Sequence, residues 1–153
     1  MRNIFIGFGL VATLAGGVAL ADDAPFTQQI KARQGLMEIN ALNIGVLAGM
    51  AKGKTPYDAA AAQAAADALA GVYKLDLPML WPAGSDNTAN PATNALPAIW
   101  ADGSDIGAKV DAWGKATEAM QAAAGKDLAS LQGAMDGLGG ACGACHKAFR
   151  AAN

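Results

Sequence analysis

The only two cysteines and the only histidine of this 153-residue chain stand together near its end, as Cys142-Gly143-Ala144-Cys145-His146. That spacing is the c-type haem attachment pattern: both thiols add across the haem vinyl groups as thioethers, and the adjacent imidazole takes an axial position on iron. A helix presents positions i, i+3 and i+4 on one face, so one turn could deliver all three groups. A redox dithiol or half of a zinc site would use the same pair, but a zinc site wants four ligands and the chain holds no further Cys or His. Paired as a disulfide, cysteines two residues apart would close a very small loop. One haem c held covalently through Cys142 and Cys145, with His146 as proximal iron ligand, accounts for all three residues.

Residues 1–21 have the plan of a secretory signal peptide: one basic residue (Arg2), an apolar stretch from Ile4 to Leu20, and Ala19-Leu20-Ala21 before Asp22-Asp23. The apolar stretch is short for a spanning helix and lacks a stop-transfer flank, so cleavage is expected rather than a retained anchor. Residues 22–153 are then one periplasmic domain with no stable membrane insertion. Removing 21 of 153 residues leaves 132, which suits a single core. The whole chain has a net charge of −2, and losing Arg2 makes it −3, with no basic run. Nucleic acid is therefore excluded as a partner.

The elements that must position the motif read as helices. β-Branched residues are few, and no stretch sustains a two-residue alternation. The pattern predicts a first helix from about Thr27 to Ala51, with Ile30, Met37, Ile44 and Leu47 on one stripe widened by Leu36, Ile39, Val46 and Met50. A second, mostly alanine helix is expected over Tyr57 to Lys74, capped by Thr55 with Pro56 in its first turn. Between Leu75 and Asp102, Pro78, Pro82, Pro91 and Pro97 break any helix, which predicts a long crossover pinned by Leu80, Trp81, Ile99 and Trp100. A third helix is expected from Ser104 or Asp105 to Ala124, with Ile106, Val110, Trp113 and Met120 inward. The fourth spans about Asp127 to Ala151, carrying Leu128, Leu131, Met135 and Leu138 and then the motif. Gly139-Gly140 weakens this last helix in a place where a porphyrin could come close. The fold class is all-α, an antiparallel four-helix bundle with a long crossover between helices 2 and 3 and the haem in its core.

These residues resemble the class II c-type cytochromes, the group of cytochrome c′ and its low-spin, methionine-ligated relatives. The resemblance is carried by the C-terminal motif with Phe149 and Arg150, by Arg33-Gln34 and Leu36-Met37 in the first helix, by Lys52-Gly53-Lys54 and Pro56-Tyr57-Asp58 before the second, and by Ile99-Trp100 before the third. Class I cytochromes c share only the motif, carry it near the N-terminus, and take a downstream methionine that this chain lacks.

With one histidine, the chain cannot supply bis-histidine ligation or a distal histidine. Met135 lies eleven residues before His146 on the same helix, about 16 Å along its axis at 1.5 Å per residue, too far to reach the opposite haem face. Met50, Met79 and Met120 read as core filling. The resemblance assigns the distal position to Met37, either bound to iron or packed over it. It also implies that the guanidinium of Arg33 pairs with a haem propionate; the alternative is a solvated Arg33. Arg150 is implied near the proximal imidazole, where a basic residue at a helix C-terminus is also expected on its own account. The expected function is a periplasmic electron-transfer carrier with His146/Met37-ligated low-spin haem, exchanging electrons with periplasmic redox proteins. The alternative is a five-coordinate, cytochrome c′-like binder of nitric oxide or carbon monoxide. No enzyme is expected, because no second titratable residue is placed as a distal acid or base. The alanine-rich second helix against the first would permit a homodimer.

Overall fold

The structure is a computed structural model describing residues 24–75 and 77–152. The expected signal peptide lies outside the described residues. Four helices follow in order: α1 (Thr27–Ala51), α2 (Ala59–Lys74), α3 (Ile106–Ala123) and α4 (Leu128–Phe149). The crossover between α2 and α3 contains two short 3-10 turns, Pro78–Leu80 and Pro97–Trp100.

Local chemistry sets the helix starts. Asp58 caps α2 by accepting from the Ala61 N–H at 2.9 Å, and Asp127 caps α4 by accepting from the Ser130 N–H at 2.7 Å. The expected Thr55-Pro56 start of α2 is thereby corrected to Ala59, because an aspartate three residues on offers the stronger cap. Two contacts fix the antiparallel order. Gln132 Nε2 at the start of α4 donates to the Ala51 carbonyl at the end of α1 (2.8 Å), and the Tyr57 hydroxyl, just before α2, donates to the Ala124 carbonyl just after α3 (2.9 Å).

The apolar core fills this end of the bundle. Leu47 and Met50 from α1, Ala62, Ala65, Ala66 and Leu69 from α2, Met120 from α3, and Leu131 and Leu138 from α4 form one buried cluster. Alanine on α2 lets the neighbouring helices approach closely, and the small residue Gly114 lets α3 approach Tyr73. A Cβ at Gly114 would stand 2.3 Å from the Tyr73 ring.

Three expectations about the core are corrected. Ile39 and Val46 do not widen the α1 stripe but are 44% and 42% exposed with Leu42 at 72%, since the buried face is the narrow line Ile30, Arg33, Asn40, Leu47 and Met50. Met79 is not core; it sits in the first 3-10 turn, 71% exposed. Val110 is also largely exposed, whereas Met50 and Met120 are buried as expected.

The crossover is pinned by the expected aromatics and by polar groups as well. Trp100 donates to the Trp81 carbonyl at 3.0 Å, and Ile99 is buried. Residues 94–96 then run against the end of α4: Leu96 N–H donates to the Phe149 carbonyl at 2.9 Å and Ala151 N–H to that of Asn94 at 2.8 Å. On the other side Gln34 donates to the Ala92 carbonyl at 2.7 Å. The crossover is thus a strap tying the first half of α1 to the last turn of α4.

Candidate haem site

Cys142, Cys145 and His146 all fall within α4, at positions i, i+3 and i+4 on one face, and all three are half-buried. Burial pushes both thiols up from their ordinary values; for Cys145 the neighbouring Cys142 adds to this, Lys109 opposes it and Asp105 reinforces it. Burial, and after it the charge of Arg150, pushes the His146 imidazole down, so its ring is neutral at neutral pH with a lone pair free for a metal. Arg150 and His146 also line one open cleft with Gly143, Lys147, Ala151 and Ala152. Arg150 therefore does lie near the proximal imidazole.

The Gln132 to Ala51 hydrogen bond sets the register of α1 against α4. Fourteen residues before Ala51 is Met37, and fourteen after Gln132 is His146. Both helices rise equally per residue, so the two side chains stand about 21 Å from that bond at 1.5 Å per residue, level to within about one helical turn, the reach of the Gln132 side chain. Met37 is 44% exposed although Arg33 and Asn40, one turn to either side on its stripe, are buried. On α4, a Cβ at Gly139, Gly140 or Gly143 would meet no protein atom within 4 Å. Apolar surface on α1, flat glycine surface on α4, two thiols and one neutral imidazole fit a planar apolar macrocycle carrying iron. No group of three His, Cys, Asp or Glu able to hold a metal ion by themselves occurs among the described residues, so His146 alone of these side chains is offered to the iron.

Arg33 is not solvated. It is 4% exposed, its guanidinium lies 4.8 Å over the Trp81 ring, and its two terminal nitrogens make four hydrogen bonds into the crossover. Nη1 donates to the Ser85 hydroxyl and the Leu80 carbonyl, and Nη2 to the Ser85 carbonyl at 2.7 Å and the Thr93 hydroxyl at 3.2 Å. Sequence reasoning missed Ser85 and Thr93 as its partners, although the turn residues from Gly84 to Asn87 were the available signal. It also passed over Asn40, whose polar side chain on an otherwise buried stripe is visible as a break in the periodicity.

A four-helix bundle with a Cys-x-x-Cys-His motif on its last helix defines a monohaem c-type cytochrome of the bundle class. A family model described as Cytochrome C' matches residues 28–150. The chain is 46% identical over 142 residues to cytochrome c-554 of Cereibacter sphaeroides, covering 92% of this chain and 93% of that one. It is 40% identical over 150 residues to cytochrome c′ of the same organism, covering 98% of each. The solved cytochrome c′ from Rhodobacter Spheriodes superposes with a TM-score of 0.81 at 38% identity, over 85% of this chain and 100% of that one. The nitric oxide complex of a variant of cytochrome c prime from Alcaligenes xylosoxidans does so with a TM-score of 0.72 at 29% identity, over 83% and 97%. The chain belongs to the cytochrome c′ family and carries one covalently attached haem c with iron.

Proposed function

We propose that this protein is a periplasmic haem protein whose distal face, under Met37, admits small diatomic ligands such as nitric oxide and carbon monoxide. The haem, when bound, supplies an iron that changes oxidation state and accepts an axial ligand. Cys142 and Cys145 anchor it, and His146, held neutral by burial, takes the proximal side. Met37, level with His146 to within about one helical turn, covers the opposite side. The observation that carries the reading is the likeness to cytochromes c′ along nearly the whole chain, 40% identical over 150 residues to that of Cereibacter sphaeroides. The relative solved as a nitric oxide complex supports it. Arg33, whose charge meets only neutral acceptors and no carboxylate among the described residues, has both terminal nitrogens engaged by the strap, so we assign only its Nε–H to a haem propionate.

The second reading is electron transfer with Met37 bound to iron, favoured by the 46% identity to a cytochrome c-554 and by the register that brings Met37 within about one turn of the height of His146. In either case the protein binds and passes on rather than transforms a substrate, and periplasmic redox proteins are its partners. Optical spectra of the ferrous protein with and without carbon monoxide separate the two. A five-coordinate spectrum that shifts on adding the gas is expected. A low-spin spectrum indifferent to the gas, becoming responsive in Met37→Ala, would establish the carrier instead.

A further inference from the structure

Asn40 is 8% exposed, and its Oδ1 is buried without a hydrogen-bond partner. Leaving such a group unpaired forfeits its hydration with nothing in return, so a position that keeps one calls for a partner. The surrounding helices offer none. The buried face of α2 is Ala62, Ala65, Ala66, Leu69 and Ala70, that of α4 is Leu131, Leu138 and Phe149, and on α3 the one polar member, Thr117, bonds its own Gly114 carbonyl at 2.8 Å.

The position of Asn40 identifies what that partner is. It lies three residues after Met37, on the same face of α1. In the register set by Gln132 and Ala51, Asn40 is eleven residues from Ala51 and Gly143 eleven from Gln132, so the carboxamide stands within about one helical turn of the stretch between Cys142 and Cys145. The unpaired atom is an acceptor and a diatomic ligand carries no hydrogen, so the carboxamide meets such a ligand only when turned over, with an N–H donor where Oδ1 stands.

We propose that Asn40 is the polar group of the distal face, donating an N–H to the diatomic ligand that sits beneath Met37 and so setting which ligands are retained. This rests on the distal assignment of the Met37 side. A donor beside bound carbon monoxide strengthens back-donation from iron, lowers the C–O stretching frequency and slows release. Asn40→Leu keeps the volume and removes the donor.

The test is infrared spectroscopy and dissociation kinetics of the ferrous carbon monoxide adduct, for the holoprotein and Asn40→Leu, each also with Met37→Ala. The expected result is a higher C–O frequency and several-fold faster release in Asn40→Leu, in whichever background binds the gas. If only the Met37→Ala pair binds it, the gas-binding reading of the native protein fails while Asn40 is still tested in that pair. An Asn40→Leu protein with altered thermal stability but an unchanged frequency would overturn the inference, leaving a structural or water-bridged amide. Refusal of the gas by all four proteins would overturn it together with the distal assignment.

Discussion

Cys142 and Cys145 each supply an S–H that adds across a haem vinyl group, the sulfur bonding to carbon and the hydrogen going to the neighbouring vinyl carbon, to leave a thioether. Each thioether is an independent anchor. Cys145→Ser is therefore expected to keep haem bound by one arm and by His146, whereas Cys142→Ser combined with Cys145→Ser should release all haem into acidified organic solvent. Retention of colour in the protein fraction of the double variant would contradict this. At Gly114 the constraint is steric: with the Tyr73 ring 2.3 Å from a would-be Cβ, Gly114→Ala should cost about 1–3 kcal/mol, read as a lowered midpoint in urea unfolding.

Among the elements, the crossover governs how firmly α1 and α4 are held at the site. Arg33 is its central fastener, and Arg33→Leu leaves the Ser85 and Leu80 carbonyls and the Ser85 and Thr93 hydroxyls without their donor. A loss of about 1–3 kcal/mol or more is expected, with faster hydrogen exchange at the amides of Leu96 and Ala151, which close the strap on α4. Unchanged exchange there would mean the strap holds without its arginine. The α4 cap gives a pH dependence. The Ser130 backbone N–H, and after it the Ser130 side chain, lower the Asp127 carboxyl below its ordinary value. Such a group contributes stability above the unfolded carboxylate pKa and loses it as pH falls through the lower folded value. Asp127→Asn should flatten the acid limb of the stability profile, measured by helicity against pH.

For the whole molecule, no described helix is long and apolar enough to cross a membrane. The outer face of α1 nevertheless exposes Ile39, Leu42 and Val46, one or two turns apart on the side away from the buried stripe. We propose this exposed α1 face, rather than the small-residue outer face of α2, as the seat of the homodimer expected from the sequence. Leu42→Lys is expected to shift a dimer to monomer in sedimentation, leaving helicity unchanged; a variant that sediments like the native protein would remove α1 from the interface.

The sequence by itself determined the chemistry and most of the elements. Cysteine and histidine spacing is a local property, and so are the 3.6-residue stripe that gives Thr27–Ala51 and the prolines that keep the crossover from becoming helix. Tertiary structure alone decided what faces what. Ile39 and Val46 satisfy the helical period as well as Ile44 does, and only the packing of α2 and α4 chose the narrower stripe. The height of Met37 relative to His146 depends on a bond between Gln132 and Ala51, 81 residues apart in the chain. Arg33 joins Ser85 and Thr93, 52 and 60 residues away, and no local pattern encodes such pairings because their energy exists only once the crossover has folded back over α1. Asn40 belongs with them: its identity is plain in the sequence, but its isolation among apolar faces is a consequence of the bundle around it.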